Sequence, residues 1–238
     1  MAEKKYSHKQ MKKLMKEDEV ASFLDKTIKW GKENKTAVYG IVIALFVVIA
    51  GYVAITSYTT NKMEKSELAF SKATEIFYYK PKKNEAPKYK NKEEQYKTAM
   101  EEFKKLESGN YTDSVKMRAK FYEALCYLNL NNTPDAEKIL ESLYTKAPYP
   151  LKTTVGLTLA NIKSNTGELD KAISILETLL KQDTLNNPVK DYELLKKSKI
   201  LVKQGKLEEA KELLSQLILD YPDSPFATDA KKEKENIS

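Results

Sequence analysis

Residues 36 to 61 form a run of 26 without a single charge, bounded by Lys35 and Lys62. The centre of that run, Ala37 to Ile55 (AVYGIVIALFVVIAGYVAI), is nineteen residues long. At ~1.5 Å per residue a helix of that length nearly matches a ~30 Å hydrocarbon slab, and the uncharged flanks add margin. A helix packed in a globular core shows a polar stripe every three or four positions, and this run has none. Trp30 and Tyr39 lie near one end, Tyr52 and Tyr58 near the other, where amphipathic rings favour headgroups. The run predicts a transmembrane helix over 36–60. The alternative is a cleaved secretory signal, whose apolar stretch is ~7–15 residues after a short basic region. Here 36 residues precede a longer stretch, and Val48-Ile49-Ala50, which imitates a cleavage site, lies inside it. The segment is read as a retained anchor.

Charge is arranged around that anchor. The chain has 41 Lys and Arg against 34 Asp and Glu, a net of +7. Residues 1–36 hold ten Lys and six acids, a net of +4. Excess Lys beside a span marks the cytoplasmic side, and a long following domain is translocated whatever its charge. The N-terminus is therefore placed inside. The remaining +3 is spread along 62–238, which argues against a nucleic-acid footprint.

Catalytic and metal chemistry find no motif. One cysteine, Cys126, and one histidine, His8, allow neither a disulfide framework nor a Cys/His zinc cluster nor a Cys–His nucleophile pair. Cys126 lies on an apolar helix face and reads as a small buried hydrophobe. The seven glycines form no phosphate loop. The chain is expected to be no enzyme and to need no cofactor or metal.

Before the anchor, residues 1–19 are Lys-rich without apolar periodicity and are expected to be a disordered cytoplasmic leader. Val20, Phe23, Leu24 and Ile28 recur at helical spacing, so 20–35 reads as an amphipathic juxtamembrane helix. Two roles stand open for it: lying in the headgroups with Lys outward, or docking a partner.

After the anchor, 61–238 repeats itself. Three windows each hold a helix, a turn with Gly or Asn, and a second helix with an early alanine: 119–150, 153–183 and 191–222. Their marker alanines are Ala136, Ala172 and Ala210, each followed four residues on by Leu140, Leu176 or Leu214. Spacings of 36 and 38 fit the tetratricopeptide (TPR) period of ~34 plus turn insertions such as Asn186-Asn187-Pro188. Gly167 and Gly205 hold the inter-helix turn, with Asn131 in the first window. A degenerate pair precedes them: Glu67 to Tyr79, continuing from the anchor, and Gln95 to Leu106 with Ala99 and Phe103. The stretch 80–92, with six Lys and two Pro, reads as a solvated loop. A last helix from Asp223 is expected to cap the stack. The fold class is all-α: one N-terminal transmembrane helix, then a TPR-like α-solenoid of about three repeats behind a degenerate first pair.

The leader helix VASFLDKTIKW, the single anchor and the degenerate repeats together resemble the YfgM-type family, the ancillary subunits of the SecYEG translocon. The ending LDYPDSPFATDA is also similar to TPR endings of outer-membrane assembly lipoproteins and cell-division coordinators. The resemblance implies a single-pass inner (cell) membrane protein with its repeats in the periplasm. It also implies association with translocon subunits and with periplasmic chaperones that receive emerging client chains.

TPR stacks line a concave surface with the first helix of each repeat, which suits an extended peptide or a partner helix. Counted from the marker alanines, the groove candidates are Arg118, Phe121, Leu125 and Asn129, then Leu157, Asn161 and Asn165, then Tyr192, Leu195, Lys199 and Lys203. An Asn/Lys mixture suits a peptide backbone or a carboxylate. The competing assignment for Phe121, Leu125, Leu157 and Leu195 is packing between repeats. The expected function is a membrane-tethered adaptor that binds proteins near the translocon and touches lipid through the anchor and the Val20–Ile28 helix. The alternative is a self-associating scaffold for envelope assembly or cell division.

Overall fold

The computed structural model describes residues 8–83, 86–181 and 188–237, with side chains from Val20 onward. Ten helices and no strand occur among the described residues. Two compact units are distinguished, Met1–Asn61 and Lys62–Ser238.

The first unit holds α1 (His8–Glu33) and the N-terminal part of α2 (Lys35–Phe77). Helix α1 begins at His8, twelve residues before the Val20 start that the apolar pattern suggested. The expected disordered leader is thus helical from His8, while residues 1–7 lie outside the described residues. The physical reason is propensity: HKQMKKLMKEDE lacks Gly and Pro and is built of good helix formers, so a helix needs no apolar stripe there. Asn34 separates the two helices, yet its backbone N–H and side-chain amide both donate to the Trp30 carbonyl, at 2.9 and 3.0 Å. Along the apolar run of α2 the side chains are exposed. The hydroxyls of Thr56 and Thr59 bond back to carbonyls of their own helix, so these two polar groups are satisfied internally.

The second unit stacks helices in antiparallel pairs. The end of α2 pairs with α3 (Lys92–Ser108), and α4 (Asp113–Asn129) with α5 (Thr133–Lys146). Helices α6 (Leu151–Asn165) and α7 (Leu169–Leu180) follow, then α8 (Lys190–Lys203) and α9 (Leu207–Asp220), with α10 (Ala227–Asn236) last. From α3 to α10 each helix packs mainly on its sequence neighbours, the one-dimensional logic of a solenoid. The marker alanines Ala99, Ala136, Ala172 and Ala210 are all fully buried. So are the apolar residues four further on, Phe103, Leu140, Leu176 and Leu214. A methyl group lets the neighbouring helix approach, and the larger side chain fills the gap beside it, the latter contributing about 2 kcal/mol of transfer free energy.

The turns inside the pairs share one backbone solution. Asn131, Gly167 and Gly205 have φ of 58°, 85° and 76°. In each case the next residue's N–H reaches back five positions: Asn132 to Tyr127, Glu168 to Lys163 and Lys206 to Leu201, at 2.8–3.0 Å. This is the helix-ending bond that a left-handed residue makes available. A Cβ at Gly205 would meet nothing within 4 Å, so its replacement carries only a conformational cost. Gly205→Ala is expected to destabilise by about 1 kcal/mol and Gly205→Asn by less, read from urea midpoints. Equal losses for both would show that the left-handed backbone is not the determinant.

The loop 80–91 is not helical where described; Asn84 and Glu85 lie outside the described residues, as do Asn186 and Asn187. Its ends are pinned rather than free. Tyr79 packs its ring 5.3 Å from that of Tyr89 and accepts the Lys88 N–H at 3.0 Å. Buried Gln95 donates its amide to the carbonyls of Ile76, Phe77 and Tyr79, satisfying carbonyls that a helix end leaves unpaired.

Candidate functional site

Helices α4, α6 and α8 are the first members of their pairs and present one stripe of positions in register. Between α6 and α8 that stripe opens into a cleft of about 280 Å³ lined by Tyr149, Thr154, Leu157, Thr158, Asn161 and Tyr192. Leu157 is half-buried and forms the apolar wall. Thr158 turns its hydroxyl back to the Thr154 carbonyl at 2.8 Å, which leaves its methyl to the cleft. The Asn161 amide has no hydrogen bond among the described residues, so two donors and an acceptor face the opening. Helix α6 contains no carboxylate. Lys196 lies over the Tyr192 ring, 5.3 Å from its centroid. An apolar wall, an unengaged amide and the nearby Lys196 suit an extended segment that offers backbone groups and a carboxylate.

The structure sorts the eleven candidates read from the sequence. It brings Leu157, Asn161 and Tyr192 to this one cleft. Phe121 and Leu195 are core residues, 7% and 4% exposed, and Leu125 packs partly against the cluster that contains Phe121. Arg118 is committed elsewhere: its Nη2 donates to Glu67 Oε1 at 2.5 Å and its guanidinium sits 4.3 Å from the Phe70 ring centre. Lys199 pairs with Glu233 at 3.3 Å, and Lys203 donates to the Ser164 hydroxyl at 3.2 Å. Asn129 lines a different recess, beside Tyr127 and Asn131, and Asn165 is exposed.

Tyr149, Thr154, Thr158 and Lys196 line or flank the cleft but were not in the sequence-derived set. Thr158 and Lys196 occupy the register position of Tyr122, one helical turn after Arg118, so extending the stripe by one turn finds them. Tyr149 follows α5 in a Tyr-Pro turn, and only the packing of α6 brings it in.

Two charged clusters stand apart from the cleft. Lys163, with a side chain 5% exposed, contacts Glu137 and lies 3.2 Å from Glu141 and 3.1 Å from Glu168. The Glu137 bond, ahead of the opposing effect of burial, raises its pKa. Between α3 and α4, burial pushes the Glu107 carboxyl up to about 7, and a hydrogen bond with Glu123 adds to the rise. From 4.5 to about 7 the folded chain keeps a proton on Glu107 that the unfolded chain releases. Stability is therefore expected to fall as pH rises through that interval. Glu107→Gln is expected to flatten this slope in urea midpoints, and an unchanged slope would place the titration on another group. Cys126 is fully buried, and burial pushes its thiol up to about 12, which makes it a packing residue rather than a nucleophile.

Stacked helix pairs with left-handed turns and buried alanines at a fixed register define a helical-repeat protein of the kind that binds other proteins. The chain belongs to the tetratricopeptide repeat-like domain family, which matches residues 28–224. Among solved structures it is similar to the TPR-like repeats of a putative kinesin light chain from Podosopora anserina, and equally to a single-residue variant of that protein. Each match has 16% identity, a TM-score of 0.50, and covers 60% of this chain and 77% of the other. That likeness is one of fold. No curated protein matches the chain.

Proposed function

We propose that this chain is a single-pass inner-membrane adaptor whose repeat domain captures extended protein segments in the α6–α8 cleft, outside the cytoplasm. The observation that carries this reading is the cleft itself, which joins the apolar wall of Leu157 to the unengaged amide of Asn161. Anchoring is supported by the one helix among the described residues, Lys35–Phe77, that is long and apolar enough to cross a membrane, none of whose apolar window is buried. The ten lysines among residues 1–36 favour a cytoplasmic N-terminus. Exposed Phe23 and Trp30 beside Lys26, Lys29 and Lys32 suit a helix lying in anionic headgroups. The resemblance of leader, anchor and repeats to the YfgM-type family favours the Sec translocon as neighbour, with emerging chains or periplasmic chaperones as clients.

Photo-crosslinking in intact cells tests this. A probe at Trp30 is expected to label translocon subunits, and a probe at Tyr192 to label secreted chains or their chaperones. Leu157→Arg together with Asn161→Ala is expected to cut the Tyr192 adducts by about tenfold, the effect of losing roughly 1.4 kcal/mol. Adducts only to further copies of the chain, or to division and envelope-assembly proteins, would overturn the adaptor reading.

A further inference from the structure

The two ends of the helix stack are finished differently. At the C-terminal end α10 covers α9, burying Ala227 and Ala230 against Leu214 and Leu217. Its outer positions Lys231, Lys232 and Glu235 are exposed. That is a polar cap, the usual requirement at the end of a solenoid. At the N-terminal end the α2–α3 pair has α4 on one side only. Arg118 reaches Glu67, the Tyr122 ring lies 5.4 Å from Phe70 and 5.3 Å from Phe77, and Lys104 lies 3.5 Å from Glu123.

On the opposite side, α2 and α3 leave a cleft of about 620 Å³. Ala69 and buried Leu106 form its floor, with Leu68 and Tyr111 as walls. Leu68 is 59% exposed, a large apolar side chain where a capped solenoid carries polar ones. Gly109 shapes one wall: a Cβ there would lie 2.6 Å from the Tyr111 ring, so only glycine allows that ring to fold over the turn. From Lys65 to Lys72 the cleft follows α2 for about 10 Å, two turns of helix.

We propose that this open end receives one amphipathic helix of a partner protein, apolar along the face that meets Leu68 and acidic along its flanks. It would take the place of the missing neighbour in the stack. Charge selects the occupant. Lys65, Lys72 and Lys105 rim the cleft, against a single carboxylate, Glu102. Glu102 already holds Lys105 at 2.6 Å. Lys65 and Lys72 are exposed and make no ion pair among the described residues. A second copy docked isologously would set these lysines against their own counterparts. A helix bearing Glu or Asp beside its apolar stripe pairs with them instead and buries Leu68. This surface is on the other side of the α2–α3 pair from α4 and is separate from the α6–α8 cleft.

The test uses the full chain in neutral phosphatidylcholine nanodiscs and two fluorescent synthetic helices of about 15 residues, long enough to be helical when docked. Both carry the same leucine stripe; one is flanked by Glu, its twin by Lys. The Glu helix is expected to bind about tenfold tighter than the Lys twin, the sum of two modest ion pairs. Lys65→Glu with Lys72→Glu should reverse that preference, and Leu68→Glu should weaken binding of either helix about tenfold. These positions are exposed, and an unchanged Tm confirms that the variants fold. Equal binding of the twins, indifference to Leu68→Glu, or loss of binding in Leu157→Arg would overturn the proposal. So would disulfide-linked dimers of a Leu68→Cys chain, which would assign the face to a second copy.

Discussion

Replacing Lys163 with alanine is expected to destabilise the repeat domain by about 3 kcal/mol, the low end for breaking a buried ion pair. The low end applies because the carboxylates keep some water: the Glu141 and Glu168 side chains are 53% and 34% exposed, Glu137 21%. Removing the ammonium leaves three carboxylates in mutual repulsion and a gap beside α5. Lys163→Met keeps the aliphatic stem, so it should recover the packing part of the loss and none of the charge part. The pH dependence separates the two. The pKa of Lys163 is raised, so its contribution is present below its unfolded value and is lost only as pH climbs through the folded one. Glu168 is lowered, chiefly by Lys171 and then by Lys163, so its share is present above 4.5 and disappears as pH falls through the folded value. The gap between wild type and Lys163→Ala should therefore be widest in the neutral range and close toward both extremes. A gap that stays constant from acid to alkaline pH would show that Lys163 acts by packing alone.

Phe103→Ala is expected to cost about 4 kcal/mol, a large-to-small change at a position with no exposed surface. Its ring centre lies 5.1 Å from Tyr122, 6.0 Å from Phe70 and 6.4 Å from Phe77, so one side chain ties α2, α3 and α4 together. In a solenoid each pair leans only on its neighbours, and the damage should stay local. Hydrogen exchange is the measurement: amides of α3 and α4 should lose protection while those of α8 and α9 keep theirs. Loss spread evenly along the stack would contradict this one-dimensional account. Phe103→Leu, closer in volume, should cost about 1.5 kcal/mol.

These two sites show different degrees of legibility. Phe103 was readable because Ala99-then-Phe103 repeats the spacing of Ala136 with Leu140, and the structure buries all four. Lys163 was not. Its register position holds Tyr127 in the first repeat and Leu201 in the third, and a lysine there looks like an exposed face. It is covered only because Glu137 and Glu141, on α5, meet it across the helix interface. The groove candidates divide in the same way. Register alone placed Arg118, Asn161 and Lys199 on one stripe, the last two at equivalent positions, and only packing separates them. Arg118 is drawn to Glu67 and Lys199 to Glu233, whereas Asn161 has no such neighbour.

What the sequence determined by itself is the local content of the fold. It set the helix pairs, their order, the left-handed turns at Asn131, Gly167 and Gly205, and the alanines that admit a neighbouring helix. Those features depend on residues within a few positions of one another, through helical period and backbone sterics. The tertiary structure alone decided which exposed positions remain available. It gathered Leu157, Asn161 and Tyr192 into one cleft, engaged the cations around it, and left the Leu68 face of α2 uncovered. Availability depends on which helix arrives alongside, and no periodicity within a single helix encodes its neighbour's side chains.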